Sequence, residues 1–258
     1  MNKLYHLHIP RTSGTGILYA IHKSFYIDRE KKGLQKEIKQ IPGIFEFLYD
    51  DKKMSDWPTI SGHFAINPII ENQGKIDTFS IVREPIDHFV SLAAYRALSS
   101  KRAFNHKTLD KFLEGVHNHP FGCRLFSSHG NLQTHMLTCR TVGISKTLGV
   151  GDVNSDIGLQ NPDGIWFIEE DMPKSDEELI SRIEQIQLFE LNDRENINKY
   201  LIHQFKTKFD VDFVGIAPEK TNSSVRNGIT PSPEQKREIL KRSHFDLVVY
   251  EYVRSKRK

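Results

Sequence analysis

The stretch Leu4-Tyr5-His6-Leu7-His8-Ile9-Pro10-Arg11-Thr12-Ser13-Gly14-Thr15-Gly16-Ile17-Leu18-Tyr19-Ala20-Ile21 decides the fold of this chain. Its β-prone start, small-residue turn and apolar end predict a strand, a turn and the beginning of a helix. Such a turn brings backbone N–H groups together, and the helix adds unpaired donors and the positive end of its dipole. The stretch therefore predicts an anion site, to which Arg11 adds charge and Thr12, Ser13 and Thr15 add hydroxyls.

The turn differs from the phosphate-binding loop of nucleoside triphosphatases. That loop has Gly-Lys-Ser/Thr at the start of its helix, with the hydroxyl on magnesium, whereas this turn continues into Gly16-Ile17. Small-residue turns are also common between strands and helices that bind nothing. An ordinary turn without a ligand is therefore the alternative interpretation of these residues.

The composition indicates one globular domain. The chain has 258 residues, 38% hydrophobic and 27% charged, and we predict a single domain over residues 1–258 with a basic tail from about residue 254. No apolar run approaches the roughly 20 residues of a membrane span, and no signal-peptide pattern is visible, so we expect a cytoplasmic protein. The net charge of +3 is too small to indicate nucleic-acid binding, but it is compatible with an anionic ligand. Cys123 and Cys139 are expected as reduced thiols.

Strand and helix patterns alternate along the chain. Further strands are predicted at residues 57–64, 76–82 and 165–168, and helices from 85, over 109–117 and 131–141, from 175, over 193–209, and from 232 and 244. Alternation of this kind predicts an α/β class, with a mostly parallel sheet flanked by helices. Because ligands bind beyond the carboxyl ends of such strands, we expect the Arg11 turn, His63 and Arg83 to lie together.

The strand at 76–82 ends in Arg83-Glu84-Pro85, and Pro85 is well placed to open a helix. Ser91 follows two helical turns after the strand end. An arginine at this place attracts anions, whereas an enzyme that binds a magnesium nucleotide more often ends the strand in Asp. The pattern therefore predicts a ligand with two separated phosphate groups, one at the Arg11 turn and one at Arg83 and Ser91.

Together the two motifs resemble those of sulfotransferases that use 3′-phosphoadenylyl sulfate (PAPS). The segment His8-Ile9-Pro10-Arg11-Thr12-Ser13-Gly14-Thr15 resembles their 5′-phosphosulfate loop, commonly Pro-Lys-Thr-Gly-Gly-Thr, and Ile81-Val82-Arg83-Glu84-Pro85 through Ser91 resembles their 3′-phosphate site. The chain is most similar to the carbohydrate group typified by heparan sulfate and uronyl 2-O-sulfotransferases. That similarity rests on Ser61-Gly62-His63-Phe64, on Leu132-Gln133 with Cys139, and on Lys220-Thr221-Asn222.

The resemblance implies a P-loop-like sulfotransferase fold and a role for each matching residue. The 5′-phosphosulfate would be held by Arg11, Thr12, Ser13, Gly14, Thr15 and Gly16, and the 3′-phosphate by Arg83 and Ser91. The nucleotide would be covered by Lys220, Thr221, Asn222, Ser223 and Ser224. His63 would be the general base that takes the proton of an acceptor hydroxyl during in-line attack on sulfur. The implied partners are PAPS and a saccharide hydroxyl, with no metal.

Arg11 stands where the family usually has Lys. Arginine stabilises developing negative charge but is a poor proton donor, so we expect an electrostatic role for Arg11; weakened or lost activity is the alternative. Two rival functions remain open. One is a P-loop-type kinase or phosphotransferase, and the other is a non-catalytic module that binds the desulfonated nucleotide or a glycan. The acceptor and the oligomeric state are not determined by the sequence.

Overall fold

A computed structural model describes residues 3–12, 14–33, 59–62, 65–71, 75–99, 101, 103–114, 130–142, 166–216 and 229–256. In chain order the elements are β1 (Lys3–Leu7), α1 (Gly14–Lys31), β2 (Thr59–Gly62), α2 (Asn67–Glu71), β3 (Ile76–Val82), α3 (Pro85–Ser99), α4 (His106–Glu114), α5 (Leu132–Thr138), β4 (Thr141–Val142), β5 (Trp166–Phe167), a 3-10 turn (Glu169–Asp171), α6 (Asp176–Ile183), β6 (Gln187–Glu190), α7 (Arg194–Phe209), α8 (Pro233–Arg242) and α9 (His244–Ser255).

Four of the strands form one parallel sheet in the order β2-β1-β3-β6. The register pairs Leu7 with both Gly62 and Ser80, and Val82 with Glu190, so the carboxyl ends of all four strands lie at the same edge. The predicted α/β class with a mostly parallel, helix-flanked sheet is confirmed. The more specific P-loop-like fold stays a prediction.

Helices cover both faces of this sheet. Alternate side chains point to opposite faces of a strand, so Tyr5 and Leu7 pack into one core with α5, α6 and α9, whereas Leu4 packs into the other with α1 and α7. A third cluster joins α3, α4 and α8 around Phe89 and Leu109. The buried face of the helix that begins at Pro85 therefore belongs to this core.

Several predicted boundaries differ from the observed ones. The strand predicted at 165–168 is the two-residue β5, which pairs antiparallel with β4 outside the main sheet. Strands β4 and β6 and helix α2 were not predicted. The helix predicted over 131–141 ends at Thr138, α4 begins earlier than residue 109, and α9 continues through the start of the basic tail. Residues 143–164 and 220–228, which include the predicted nucleotide cover, lie outside the described residues. Within the described part of the chain, no helix combines the length and apolar character that crossing a membrane requires.

Candidate anion site at the carboxyl edge of the sheet

The turn between β1 and α1 holds one residue in a conformation that L-amino acids disfavour. Arg11 has a φ of 67°, in the left-handed region, which costs a non-glycine residue about 1 kcal/mol or more. The hydroxyl of Thr12 donates to the carbonyl oxygen of Ile9 at 2.7 Å, and Nε2 of His88 donates to that of Pro10 at 2.8 Å. These two bonds stabilise the turn from within and from α3.

Helix α1 begins at Gly14, against which the imidazole of His8 packs. A Cβ atom at Gly14 would lie 1.8 Å from Nε2 of His8, so this close approach requires glycine. The His8 ring stacks on His6, with 5.4 Å between ring centroids. The first turn of α1 contains no acidic residue, so none of its own side chains neutralises the positive end of the helix dipole.

Arg83 lies immediately after β3 and reaches back to the turn. Its Nη1 donates to the carbonyl oxygen of Arg11 at 3.3 Å, and its Nη2 lies 3.6 Å from Oδ2 of Asp87. The side chain is only 13% exposed. Its buried Nε has no hydrogen-bond partner among the described residues, although buried donors are normally paired. Arg83 therefore retains a buried donor beside the turn that could serve an anion.

Ser91 contacts the side chain of Arg11. Nε of Arg11 donates to Oγ of Ser91 at 3.2 Å, which leaves the serine hydroxyl proton able to donate elsewhere. The guanidinium carbon of Arg11 also lies 5.3 Å from the ring centroid of Tyr95, within the range of a cation–π contact. The backbone of Arg11 thus meets Arg83, and its side chain meets Ser91.

Among the described residues, the contacts around the turn bring together more positive than negative charge. Arg11 and Arg83 contribute two guanidinium groups, and Asp87 contributes the carboxylate that faces Arg83. His88 stays neutral near pH 7 because burial lowers its pKa to about 4; the charge of Arg11 acts in the same direction, and the bond to Pro10 opposes it. A site with this balance favours an anionic ligand.

The structure brings together three of the residues predicted from the sequence. Arg11 and Ser91 touch although 80 positions separate them, and Arg83 touches Arg11. Gly14 and Gly16 lie in the first turn of α1. Thr12 is buried and its hydroxyl donates within the turn, so its backbone N–H is what it can offer to an anion.

The remaining predicted residues lie outside the described part of the chain. They are His63, Ser13, Lys220, Thr221, Asn222, Ser223 and Ser224, together with the side chain of Thr15. Their roles stay predictions. Among the residues that the structure does describe, no three His, Cys, Asp or Glu side chains are grouped so that they could hold a metal ion.

Sequence reasoning gave no site role to four residues that shape the site, namely His88, Tyr95, Gln133 and Asp246, although Gln133 belongs to the Leu132-Gln133 match. A usable signal existed for two of them, because His88, Ser91 and Tyr95 follow one another at three- and four-residue steps and share a helix face. No local signal existed for Asp246, since α9 reaches α5 only in the folded chain, through hydrogen bonds from Gln133 and Thr134.

The fold and the site define an α/β protein with a candidate anion site at the carboxyl edge of a parallel sheet. No protein-family model matches the chain, and no curated protein matches it significantly.

Proposed function

We propose that the chain is a sulfotransferase that moves a sulfuryl group from PAPS to a hydroxyl of a carbohydrate acceptor. The observation that carries the proposal is the contact of the Arg11 turn with both Arg83 and Ser91 at one edge of the sheet. We assign one anionic group to the turn and a second to Arg83 and Ser91, which requires a ligand that carries two such groups on one molecule. The 5′-phosphosulfate and 3′-phosphate of PAPS meet that requirement.

The residues present fit such a ligand. The N-terminus of α1 suits the 5′-phosphosulfate, because backbone donors and the helix dipole both favour an anion there. The buried Nε of Arg83 and the hydroxyl of Ser91 suit the 3′-phosphate, because a charge-assisted bond would satisfy an unpaired donor. The nucleotide supplies the activated sulfuryl group. His63 takes the proton of the acceptor hydroxyl, and Arg11 stabilises the negative charge that develops on the leaving group.

Thermal-shift titration with adenosine 3′,5′-bisphosphate tests the nucleotide site. A ligand that binds only the folded chain adds about 2.7 kcal/mol at one hundred times its Kd, so the melting temperature should rise with concentration. Arg83→Ala should remove most of the shift. Arg237→Ala is the matched control, since Arg237 is exposed on α8 and pairs there with Glu234. No shift at millimolar ligand in the unmodified protein would refute the proposal.

Sulfate transfer from labelled PAPS to a panel of saccharides tests the reaction. We expect transfer without added magnesium, because no step assigned to the chain's residues uses a metal. His63→Ala should keep the thermal shift and lose turnover, since the base acts on the acceptor rather than on the nucleotide. Binding without transfer to any acceptor would favour the non-catalytic module, and a strict requirement for magnesium would favour a phosphotransferase.

A further inference from the structure

We propose that Gln133 is a positioning residue for the 3′-phosphate: its side-chain amide fixes the backbone of Arg83, and Asp246 in turn fixes Gln133. The inference rests on the proposed function for the identity of its ligand. Gln133 lies in the first turn of α5, which packs on the sheet, and it is fully buried. Both of its hydrogen bonds to Arg83 are to the backbone, so its effect on an anion would be exerted through the backbone of Arg83.

The amide of Gln133 pairs with both backbone groups of Arg83. The N–H of Arg83 donates to Oε1 at 2.8 Å, and Nε2 donates to the carbonyl oxygen of Arg83 at 2.9 Å. The reversed amide would place donor against donor and acceptor against acceptor, so the contact fixes the orientation of the amide. In an antiparallel sheet, the N–H and C=O of one residue on the neighbouring strand make the same pair of bonds. Gln133 therefore does for Arg83 what a neighbouring strand does for a residue within a sheet.

This contact matters because Arg83 lies just beyond the last residue of β3. The carbonyl oxygen of Val82 still accepts from Leu191 at 2.8 Å, which continues the bonding between β3 and the chain after β6. At Arg83 the two backbone bonds go to Gln133 instead. Because a long side chain can be placed accurately only from a fixed Cα, loss of these bonds would spread the guanidinium over several positions.

Asp246 holds α5, and with it Gln133, from the first turn of α9. Its carboxylate accepts from the backbone N–H of Gln133 at 3.2 Å and from the backbone N–H and hydroxyl of Thr134 at 2.7 and 2.8 Å. In return, Oδ1 of Asn131 accepts from the backbone N–H of Asp246 at 3.1 Å. The first turn of each helix is thus capped by a side chain from the other. The helices' own N-cap residues, Asn131 and Ser243, make no side-chain capping bond to the helix they begin.

The test is the contribution of the 3′-phosphate to affinity, measured as the ratio of the Kd values of adenosine 5′-monophosphate and adenosine 3′,5′-bisphosphate. Gln133→Met keeps the buried volume and removes both bonds to Arg83. We expect it to weaken bisphosphate binding about tenfold or more, while the affinity for the monophosphate changes by less than about twofold. The ratio should fall toward that of Arg83→Ala.

Leu137→Ala is the matched control, because Leu137 is buried in the same helix but belongs to the apolar core. It should lower the melting temperature and leave the ratio unchanged, which separates positioning from general destabilisation. A wild-type ratio in Gln133→Met would overturn the inference. Asp246→Asn should also lower the ratio, because its NH₂ group would face one of the donors of α5; a wild-type ratio there would remove Asp246 from the proposal.

Amide hydrogen exchange at Arg83 tests the positioning without any nucleotide. The Arg83 N–H should be protected in the unmodified protein and in Leu137→Ala, and should exchange faster in Gln133→Met. Unchanged protection in Gln133→Met would refute the role of the amide. If the unmodified protein binds neither nucleotide, the proposed function fails, and the exchange result still decides whether Gln133 fixes Arg83.

Discussion

His88 makes stability depend on pH in a defined direction. It lies on α3 between Arg83 and Ser91, is 2% exposed, and donates from Nε2 to the carbonyl oxygen of Pro10 at 2.8 Å. Its pKa is lowered from 6.5 to about 4, mainly by burial; the bond to Pro10 opposes this shift, and the positive charge of Arg11 contributes to it. In the folded protein, a proton on His88 would therefore be bound much more weakly than in the unfolded chain.

The direction in which stability changes with pH depends on which state, folded or unfolded, binds the proton more tightly. Between the folded pKa of about 4 and the unfolded value of 6.5, the unfolded chain is protonated at His88 and the folded chain is not. Stability is therefore fully present above pH 6.5, falls as the pH decreases through this window, and levels off below the folded pKa. The gap between the two pKa values corresponds to about 3 kcal/mol, most of which is lost between about pH 7.5 and about pH 4.5.

Urea unfolding at those two pH values, compared with His88→Gln, measures this contribution. Glutamine can donate to the Pro10 carbonyl and does not titrate, so the variant should lose about 2–3 kcal/mol less stability than the unmodified protein between about pH 7.5 and about pH 4.5. His203→Gln, at an exposed position on α7, should behave like the unmodified protein. Equal losses in the unmodified protein and in His88→Gln would refute the reasoning.

Two further predictions concern the turn. Gly14→Ala would place Cβ 1.8 Å from Nε2 of His8, so the free energy of unfolding measured in urea should fall by about 1–3 kcal/mol. Adding His8→Ala should recover part of this loss. If the effects of the two substitutions are simply additive, the clash is not the cause. Arg11→Lys replaces the Nε donor to Ser91 by an ammonium group. Lysine loses its proton at alkaline pH, whereas arginine does not. The turnover of Arg11→Lys should therefore decline at alkaline pH, while the turnover of the unmodified protein should not. Identical pH profiles of turnover would argue against Arg11 acting on the leaving group.

The sequence predicted β3 and the helix that follows it because their signals are local. Residues 76–82 carry the β-branched and apolar pattern of a strand, and Pro85 supplies the fixed φ that suits the first turn of a helix. Arg83 and Ser91 could be placed at one site for the same reason, since a strand end and two helical turns set their separation. Strand β6 was missed because Leu188 and Phe189 are its only apolar residues, and its identity comes from its pairing with β3.

The contacts that complete the candidate site depend on tertiary structure and could not be predicted in the same way. The left-handed conformation of Arg11 is unusual for arginine and is stabilised here by Thr12 and His88. The bonds of Gln133 to Arg83 join α5 to the residue that follows β3, across 50 positions in the sequence. No periodic pattern encodes contacts of this length, because each depends on where the sheet places a helix.

The conformation of the turn also bears on how an anion would bind. The local cost at Arg11, about 1 kcal/mol or more, is offset by hydrogen bonds from Thr12 and His88 and by the donation of Arg83 to the Arg11 carbonyl oxygen. All three interactions exist within the protein, so the ligand does not have to induce the turn. Less binding free energy is then spent on ordering the backbone. For this reason a variant that loosens the turn, such as Gly14→Ala, should weaken nucleotide binding by more than its loss of direct contacts explains.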